Sequence, residues 1–218
     1  LYRPQTAARR LECFAGAGEF VNPNPAVTSA KSFLAVALVR QLRVLENQLN
    51  EYRQRIAKLF KDHPDHDLFG SLPGAGEKLA PRLLAECGDN RAEFDSPQAL
   101  QCYAGTAPVS FQSGKMHRVY LRRACNRWLR TTVHLWADLS RHYCAWAQAY
   151  YQRKKDQGMS HAAALRCLGQ RWLKILWRMW QDGASYDEAL HMRNQVTRGS
   201  WVIALMPATV SDSISDPN

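Results

Sequence analysis

The sequence lacks several features that would narrow its class. It has no run of about 18 apolar residues, the length that a membrane-spanning helix needs, so we expect no membrane span. None of its six cysteines forms a C-x-x-C pair, so neither a zinc ribbon nor a thioredoxin-like site is indicated. The chain starts at Leu1 rather than at methionine, and no apolar signal core follows. We therefore expect a reduced, cytoplasmic protein that is a fragment of a longer chain.

Acidic residues are scarce in one long stretch. Between Ser113 and Arg178 there are 14 lysines and arginines but only two acids, so this stretch more than accounts for the net charge of +10. The chain is 46% apolar and has seven tryptophans, enough to bury a sizeable core. A basic block within such a sequence predicts a polyanionic partner, most simply nucleic acid. The alternative is that the charges only solvate the outer faces of helices.

The periodicity of the sequence predicts a mainly α protein with four parts. Residues 1–32 are rich in turn formers and are expected to be a linker or the end of a missing upstream domain. Apolar residues then recur at spacings of three and four, which predicts a coiled-coil arm over 33–62, with an amphipathic helix packed on the body as the alternative. A helical domain is expected over 68–195, followed by a disordered tail over 196–218.

Local signals predict where individual helices begin and end. Ser96-Pro97 suits a helix start, and a further helix is expected between Ser160 as its cap and Gly183 as its end. Residues 106–115 are predicted to form a loop or a short extended piece, and 120–155 one bent helix or two helices.

Histidine and aspartate alternate over 62–67, which raises the question of a metal site. Pro64 prevents a continuous helix there, and the spacing matches no strong ligand pattern. We therefore predict a solvated turn and no metal site in this chain.

A Pro-Gly-x-Gly turn precedes an amphipathic segment and resembles a helix-hairpin-helix element. Gly74 and Gly76 would allow a tight turn and would present backbone amides to a phosphate, with Lys78 just inside the next helix. Such a hairpin holds duplex DNA by its backbone without reading sequence. The alternative is a plain packing corner between two helices.

Two serines, Ser110 and Ser113, lie in a loop beside Gly114, and many cations follow within fifteen residues. Four of the arginines recur at helical spacing, so a helix there would point several of them towards one place. A serine beside guanidinium groups suits phosphoryl transfer, because the hydroxyl can attack phosphorus while the arginines stabilise the negative charge. Ser-Gly loops usually serve only as turns, so the residue types alone leave this open. The cations are Lys115, Arg118, Arg122, Arg123, Arg127 and Arg130.

An ordered set of motifs resembles the C-terminal domain of insertion-sequence-110-type transposases and Piv-type DNA invertases. The set comprises Leu72-Pro73-Gly74-Ala75-Gly76, Phe94-Asp95-Ser96, Tyr103-Ala104-Gly105-Thr106-Ala107-Pro108 and Ser113-Gly114-Lys115. Arg122-Arg123-Ala124-Cys125-Asn126, Trp146–Tyr151 and Tyr186-Asp187-Glu188 extend it, so that the resemblance covers roughly residues 33–192.

The resemblance implies a DNA recombinase whose serine nucleophile corresponds to Ser113, with Ser110 as the second candidate. It implies a RuvC-like domain upstream that binds Mg²⁺, and no cofactor in this chain. It also implies DNA as partner, a guide RNA in some members, and a homo-oligomer formed through the coiled coil. The residues expected to hold phosphate or DNA are Gly74, Gly76, Lys78, Gly114, Lys115, Arg118, Arg122, Arg123, Arg127 and Arg130.

Two departures from the family pattern matter. Nothing before Ala35 supplies four spaced carboxylates, so the metal-binding domain is expected to be absent and this chain alone inactive. A Lys-Arg-Gly motif common in the family is Arg122-Arg123-Ala124 here, which leaves open which arginine meets the phosphate. The rival hypotheses are a non-catalytic helix-hairpin-helix module that binds nucleic acid, and a scaffold protein assembled by its coiled coil.

Overall fold

The computed structural model of the chain describes residues 4–15, 24–114 and 116–197. The chain divides into two compact units, residues 1–56 and 57–218. The described part is helical apart from one two-stranded antiparallel hairpin, which confirms the predicted mainly α class. None of its helices has both the length and the apolarity that crossing a membrane requires.

The first unit contains helix α1 (Pro4–Ala15) and most of helix α2 (Pro25–Lys61). Of the two alternatives for 1–32, a linker does not describe residues 4–15 or those from Pro25 onward, which are helical, and the end of an upstream domain stays a prediction. Prolines start both helices, a position where the missing N–H costs nothing, and alanine, arginine and leucine favour the helix that follows. Residues 16–23, which hold two of the turn-forming glycines, lie outside the described residues, as do 198–218 of the predicted tail.

Helix α2 has no buried residue along its 37 residues. It contains the predicted arm except for residue 62, and it ends before the His/Asp cluster, where Pro64 follows. The helical periodicity is thus confirmed, whereas the pairing of two such helices stays a prediction.

The core of the second unit forms around one long helix, α8 (His161–Asp182). Its apolar stripe is buried against α5 (Pro97–Tyr103), α6 (Arg127–Ser140) and α7 (Ala145–Asp156). Helix α4 (Gly76–Cys87) packs on α6, α3 (His66–Gly70) packs on α4, and a 3₁₀ turn lies at Arg91–Glu93.

Tryptophans fill the centre of this core. The rings of Trp136 and Trp146 lie 5.0 Å and 4.7 Å from that of Trp172, measured between centroids. The Trp172 indole N–H donates to the Ser140 hydroxyl at 2.7 Å, so the polar atom of the buried ring is satisfied. The contacts between these buried rings, together with the hydrogen bond of the Trp172 indole, therefore hold α6, α7 and α8 together.

The predicted caps are confirmed. The hydroxyls of Ser96 and Ser160 accept from the amides of Ala99 and Ala163, and Gly183 ends α8 in the left-handed conformation. The last described helix, α9 (Glu188–Thr197), follows Tyr186, whose hydroxyl accepts from the Trp146 indole N–H at 2.8 Å. The Tyr-Asp-Glu motif thus fastens the end of the domain to the aromatic core.

The His/Asp cluster is more than a solvated turn. The Asp65 side chain is 13% exposed, forms an ion pair with Arg91 and accepts from the Trp180 indole N–H at 3.2 Å. His63 pairs with Asp89 at 3.0 Å. These contacts tie the segment that follows α2 to the 3₁₀ turn and to α8.

The region 120–155 forms two helices, α6 and α7, which is one of the two predicted alternatives. However, residues 121–126 are not helical. Asn126 has extended backbone angles, and its side chain accepts from the amides of Trp128 and Leu129 at 2.9 and 3.0 Å. The helix therefore begins at Arg127, because Asn126 acts as its N-cap.

Candidate nucleic-acid interface

The segment 106–115, predicted as a loop or a short extended piece, contains one strand of a hairpin. Strand β1 (Val109–Ser113) pairs antiparallel with strand β2 (Met116–Tyr120). Gly114 at the turn has φ +57°, as the first central residue of a tight primed turn requires. Lys115, a predicted phosphate-binding residue, lies outside the described residues. All ten strand residues are exposed, so the hairpin projects from the domain with both faces open.

The register of the hairpin separates the two candidate serines. Ser113 pairs with Met116 at the tip, and Ser110 pairs with Val119. Because side chains alternate along a strand, these two serines lie on opposite faces. Phe111 and Arg118 are opposite each other on the Ser113 face, so Arg118 is a diagonal neighbour of Ser113. The hairpin thus presents an exposed hydroxyl beside an exposed guanidinium group.

The predicted convergence of four arginines on one helix face is wrong. Arg122 and Arg123 lie in the loop before α6, and only Arg127 and Arg130 are in the helix. Arg123 and Arg127 are exposed and therefore accessible to a phosphate. Arg122 is half-buried, and its Nε atom has no hydrogen-bond partner among the residues that the structure describes.

Arg130 has an internal role. Its Nη2 donates to the Arg122 carbonyl at 2.5 Å and also contacts the Cys125 sulfur. The tight approach depends on Gly105, where an added Cβ would lie 2.7 Å from the Cys125 sulfur and 2.8 Å from Arg130 Nη2. Arg130 therefore fixes the loop that carries the exposed Arg123, rather than presenting its own charge to solvent.

The Pro-Gly-x-Gly turn has a clear packing function at its first glycine. Gly74 has φ +75°, and a Cβ there would lie 2.7 Å from the Ser140 backbone nitrogen, so this turn packs directly on the end of α6. Gly76 has φ +55° with open space where a Cβ would be, and it is exposed, as is Lys78. The packing alternative thus applies to Gly74, while DNA contact by Gly76 and Lys78 stays a prediction.

Other cations of the basic block have partners within the fold. Arg141 and Arg178 form ion pairs with Asp138 and Asp182 at 2.7 and 2.6 Å. The guanidinium carbons of Arg153 and Arg171 lie 5.4 and 5.6 Å from the centre of the Tyr150 ring. The charge of the block is therefore partly used in packing.

A half-buried histidine lies beside the arginine loop. His134 lines a cavity of about 290 Å³ together with Leu121, Arg130 and Arg166. Burial lowers the pKa of His134, and the charges of His161 and Arg166 lower it further. The imidazole is therefore neutral at neutral pH and adds no positive charge there.

Two further candidate residues, at the start of α6 and on α4, are not among those predicted from the sequence. Trp128 is 68% exposed, and the Arg82 guanidinium carbon lies 5.9 Å from the centre of its ring. One signal was present, since Trp128 falls outside the apolar period of Leu129, Val133 and Trp136. The sequence alone does not make this position stand out, because the predicted helix begins before Asn126.

Comparisons with known proteins place most of these features in one family. Residues 66–152 match the transposase domain described as the IS116/IS110/IS902 family. An IS117 mini-circle protein of Streptomyces coelicolor, which carries a transposase name, is 35% identical to this chain over 170 residues. The match covers 78% of this chain and 41% of the length of that protein.

Two further relatives match over shorter stretches. An uncharacterised IS900 protein of Mycobacterium paratuberculosis is 31% identical over 70% of this chain and 38% of its own. The pilin gene-inverting protein of Moraxella bovis is 27% identical over 57% of this chain and 39% of its own.

The chain spans about two fifths of the length of these curated relatives. The matched region begins in α3, ends in α7, and includes the glycine turn, the hairpin and the arginine loop. Residues 66–152 of the chain therefore form a domain of the IS116/IS110/IS902 transposase family, which confirms the resemblance found in the sequence.

Proposed function

We propose that this chain is the DNA-binding and strand-exchange part of a transposase or site-specific recombinase. The observation that carries the proposal is the hairpin tip, where the exposed Ser113 lies next to Gly114 and diagonal to Arg118. The names of two relatives support a role in DNA rearrangement, since one is called a transposase and the other inverts a pilin gene.

The proposed chemistry is an exchange of phosphate esters. The Ser113 hydroxyl attacks a backbone phosphorus, a new P–O bond forms to the serine oxygen, and the bond to the leaving sugar oxygen breaks. The proton lost by serine balances the one gained by the leaving hydroxyl. Attack by a hydroxyl of another strand then restores a phosphodiester and frees the serine, so no external energy source is required.

The exposed arginines would bind the non-bridging oxygens. Arg118 on the hairpin, with Arg123 and Arg127 beside the start of α6, presents charge that can stabilise the transition state. Arg130 contributes indirectly, because it holds the loop that contains Arg123. Gly76 and Lys78 would grip the DNA backbone at a second place.

The proposal also includes a metal ion, a second copy of the chain and a guide RNA. Among the described residues no group of three or more metal-liganding side chains converges. The proposal takes from the family resemblance alone that Mg²⁺ binds to an upstream RuvC-like domain, and no step above uses it. The exposed apolar seam of α2 would pair two copies of the chain, and a guide RNA encoded beside the gene would be a further partner.

The test restores the upstream part of the protein. We would join the chain to its upstream coding sequence, add the flanking non-coding RNA, and incubate it with labelled element-end DNA and Mg²⁺. A denaturing gel then reports any covalent protein–DNA adduct. We expect an adduct for the unaltered protein and for Ser110→Ala, and none for Ser113→Ala, with DNA binding retained by all three.

Other outcomes would overturn the assignment. An adduct that persists in Ser113→Ala but disappears in Ser110→Ala would move the nucleophile to the other face of the hairpin. Binding without any adduct would favour the non-catalytic nucleic-acid-binding module. Weak binding to duplex DNA at physiological salt would favour the scaffold hypothesis.

A further inference from the structure

One tryptophan differs from all the others that the structure describes. Five of the six described tryptophans are buried or half-buried, and the indole N–H of each donates a hydrogen bond within the fold. Their acceptors are Pro73 O for Trp136, the Tyr186 hydroxyl for Trp146, the Ser140 hydroxyl for Trp172, Phe94 O for Trp177 and Asp65 Oδ2 for Trp180. Trp128, in contrast, is 68% exposed.

The exposed ring is attached to a rigid part of the fold. Asn126 caps the helix by accepting from the amide of Trp128 itself at 2.9 Å. The amide group of Asn126 also donates to Glu86 at 2.9 Å and to the Tyr103 hydroxyl at 3.0 Å. The first turn of α6 is thus linked to α4 and α5, and the ring is presented by a fixed backbone.

The surroundings of the ring are cationic. The Arg82 guanidinium lies 5.9 Å from the ring centre, and Lys78 is one helical turn earlier on the same face of α4. Arg127 precedes the tryptophan and is exposed. None of these three cations forms an ion pair with another residue in the described ranges. Their charge is therefore not neutralised internally.

We propose that Trp128 is a stacking platform for a base of an unpaired DNA strand, with Arg82 and Lys78 holding the adjoining phosphates. An exposed aromatic ring flanked by unneutralised cations is the combination that single-strand-binding surfaces use. The strand must be unpaired, because the faces of a base within a duplex are covered by its neighbours. The inference rests on the proposed function only in taking DNA as the ligand.

A protein partner is the competing occupant. Leu135 and Leu139 lie seven and eleven residues after Trp128 on the same side of α6 and are 45% and 42% exposed. A partner helix would cover those leucines as well as the ring. A nucleobase would need only the ring and its cations, and the three uncompensated charges favour the nucleobase.

The test measures fluorescence anisotropy of the 218-residue chain with a labelled single strand of about 15 nucleotides and with the same sequence as a duplex. We expect Trp128→Ala to weaken single-strand binding about tenfold, the value of one lost base stack, and duplex binding by less than about twofold. Trp128→Phe should restore most of the single-strand affinity. A 2-aminopurine in the strand should be quenched by the unaltered protein and not by Trp128→Ala.

Two matched controls exclude general effects. Tyr143→Ala removes another aromatic side chain that is 71% exposed, and it should change neither affinity. Leu135→Gln alters the apolar side of α6 without touching the ring and should also bind normally. The thermal midpoint of Trp128→Ala should match that of the unaltered chain, because the removed ring is mainly in solvent.

Several results would overturn the proposal. Equal losses of affinity for single strand and duplex in Trp128→Ala would mean that the ring contacts DNA of either form. Unchanged single-strand affinity in Trp128→Ala would mean that the ring is not part of the interface. Loss of self-association in Trp128→Ala would assign the ring to a protein contact. An unaltered chain that binds duplex but no single strand would overturn this inference alone, whereas one that binds neither would overturn the proposed function too.

Discussion

Gly74 belongs to the Pro-Gly-x-Gly motif and also lies in close contact with the end of α6. Its positive φ favours glycine, and an added Cβ would lie 2.7 Å from a backbone atom of α6, which cannot move aside as a flexible side chain could. We expect Gly74→Ala to lower the free energy of unfolding by about 3 kcal/mol, the sum of a backbone penalty and overpacking. Urea unfolding followed by far-UV circular dichroism would measure the loss.

Gly76 provides the matched control for this prediction. It also has a positive φ, at +55°, but nothing lies within 4 Å of its added Cβ. Gly76→Ala should therefore cost only the backbone penalty of about 1 kcal/mol. If the two variants are equally stable, the close approach of Gly74 to α6 has no energetic consequence.

Arg130 shows that residue type and sequence position do not tell whether an arginine binds a phosphate or packs within the fold. In the sequence it is one of a series of arginines, all of them candidates for phosphate binding. In the structure its guanidinium contacts the Arg122 carbonyl and the Cys125 sulfur, in a space left by Gly105. A contact between residues 105 and 130 depends on how the hairpin folds back, which no local pattern in the sequence reports.

At the scale of elements, we expect the contribution of α9 to the stability of the fold to depend on pH. Its His191 ring lies 4.6 Å from Trp146, and burial lowers the pKa of this histidine, with Arg171 lowering it further and Glu188 acting in the opposite direction. The unfolded histidine therefore binds a proton more readily than the folded one. Stability contributed by the neutral ring is complete above the unfolded pKa of about 6.5 and is lost as the pH falls below it.

The measurement compares thermal midpoints at about pH 7.5 and pH 5.5, on either side of the ordinary histidine pKa. We expect the midpoint of the unaltered chain to fall on acidification, and His191→Gln to show a smaller fall. His142→Gln replaces an exposed histidine and should keep the full dependence. A His191→Gln variant whose midpoint falls as far as that of the unaltered chain would refute the prediction.

Elements with strong local signals could be predicted, and those that depend on distant contacts could not. The caps Ser96 and Ser160 and the period of α2 are local, and the structure confirms them. The hairpin was only partly predicted, because exposed strands carry no buried stripe to reveal their alternation. The start of α6 was misplaced because the arginines at 122 and 123 continue an apparent helical period past the Asn126 cap.

The same limit applies to the candidate site. The order of the motifs in the sequence makes Ser113 and the glycine turn candidates, and their roles stay predictions. The opposite faces of Ser110 and Ser113 follow from the strand register, and the pairing of Trp128 with Arg82 follows from the packing of α4 against α6. Both require the tertiary fold, so a single sequence could not supply them.

For the whole molecule, the apolar seam of α2 raises the question of self-association. Seven apolar residues along the predicted seam are between 49% and 66% exposed. So long an apolar stripe is costly to leave in water, and pairing with a second copy would bury it. The seven residues of the seam are Leu38, Leu42, Leu45, Leu49, Tyr52, Ile56 and Leu59.

We expect the chain to sediment as a dimer or a larger species, and the double variant Leu42→Asp/Leu49→Asp to shift it to monomer, because a carboxylate cannot be buried in the seam without a large desolvation penalty. The control Asn47→Asp/Asn50→Asp adds the same two charges beside the seam and should leave the assembly intact. If the unaltered chain sediments as a monomer at every concentration, the seam does not pair two copies. If both variants dissociate equally, net charge rather than the seam controls assembly.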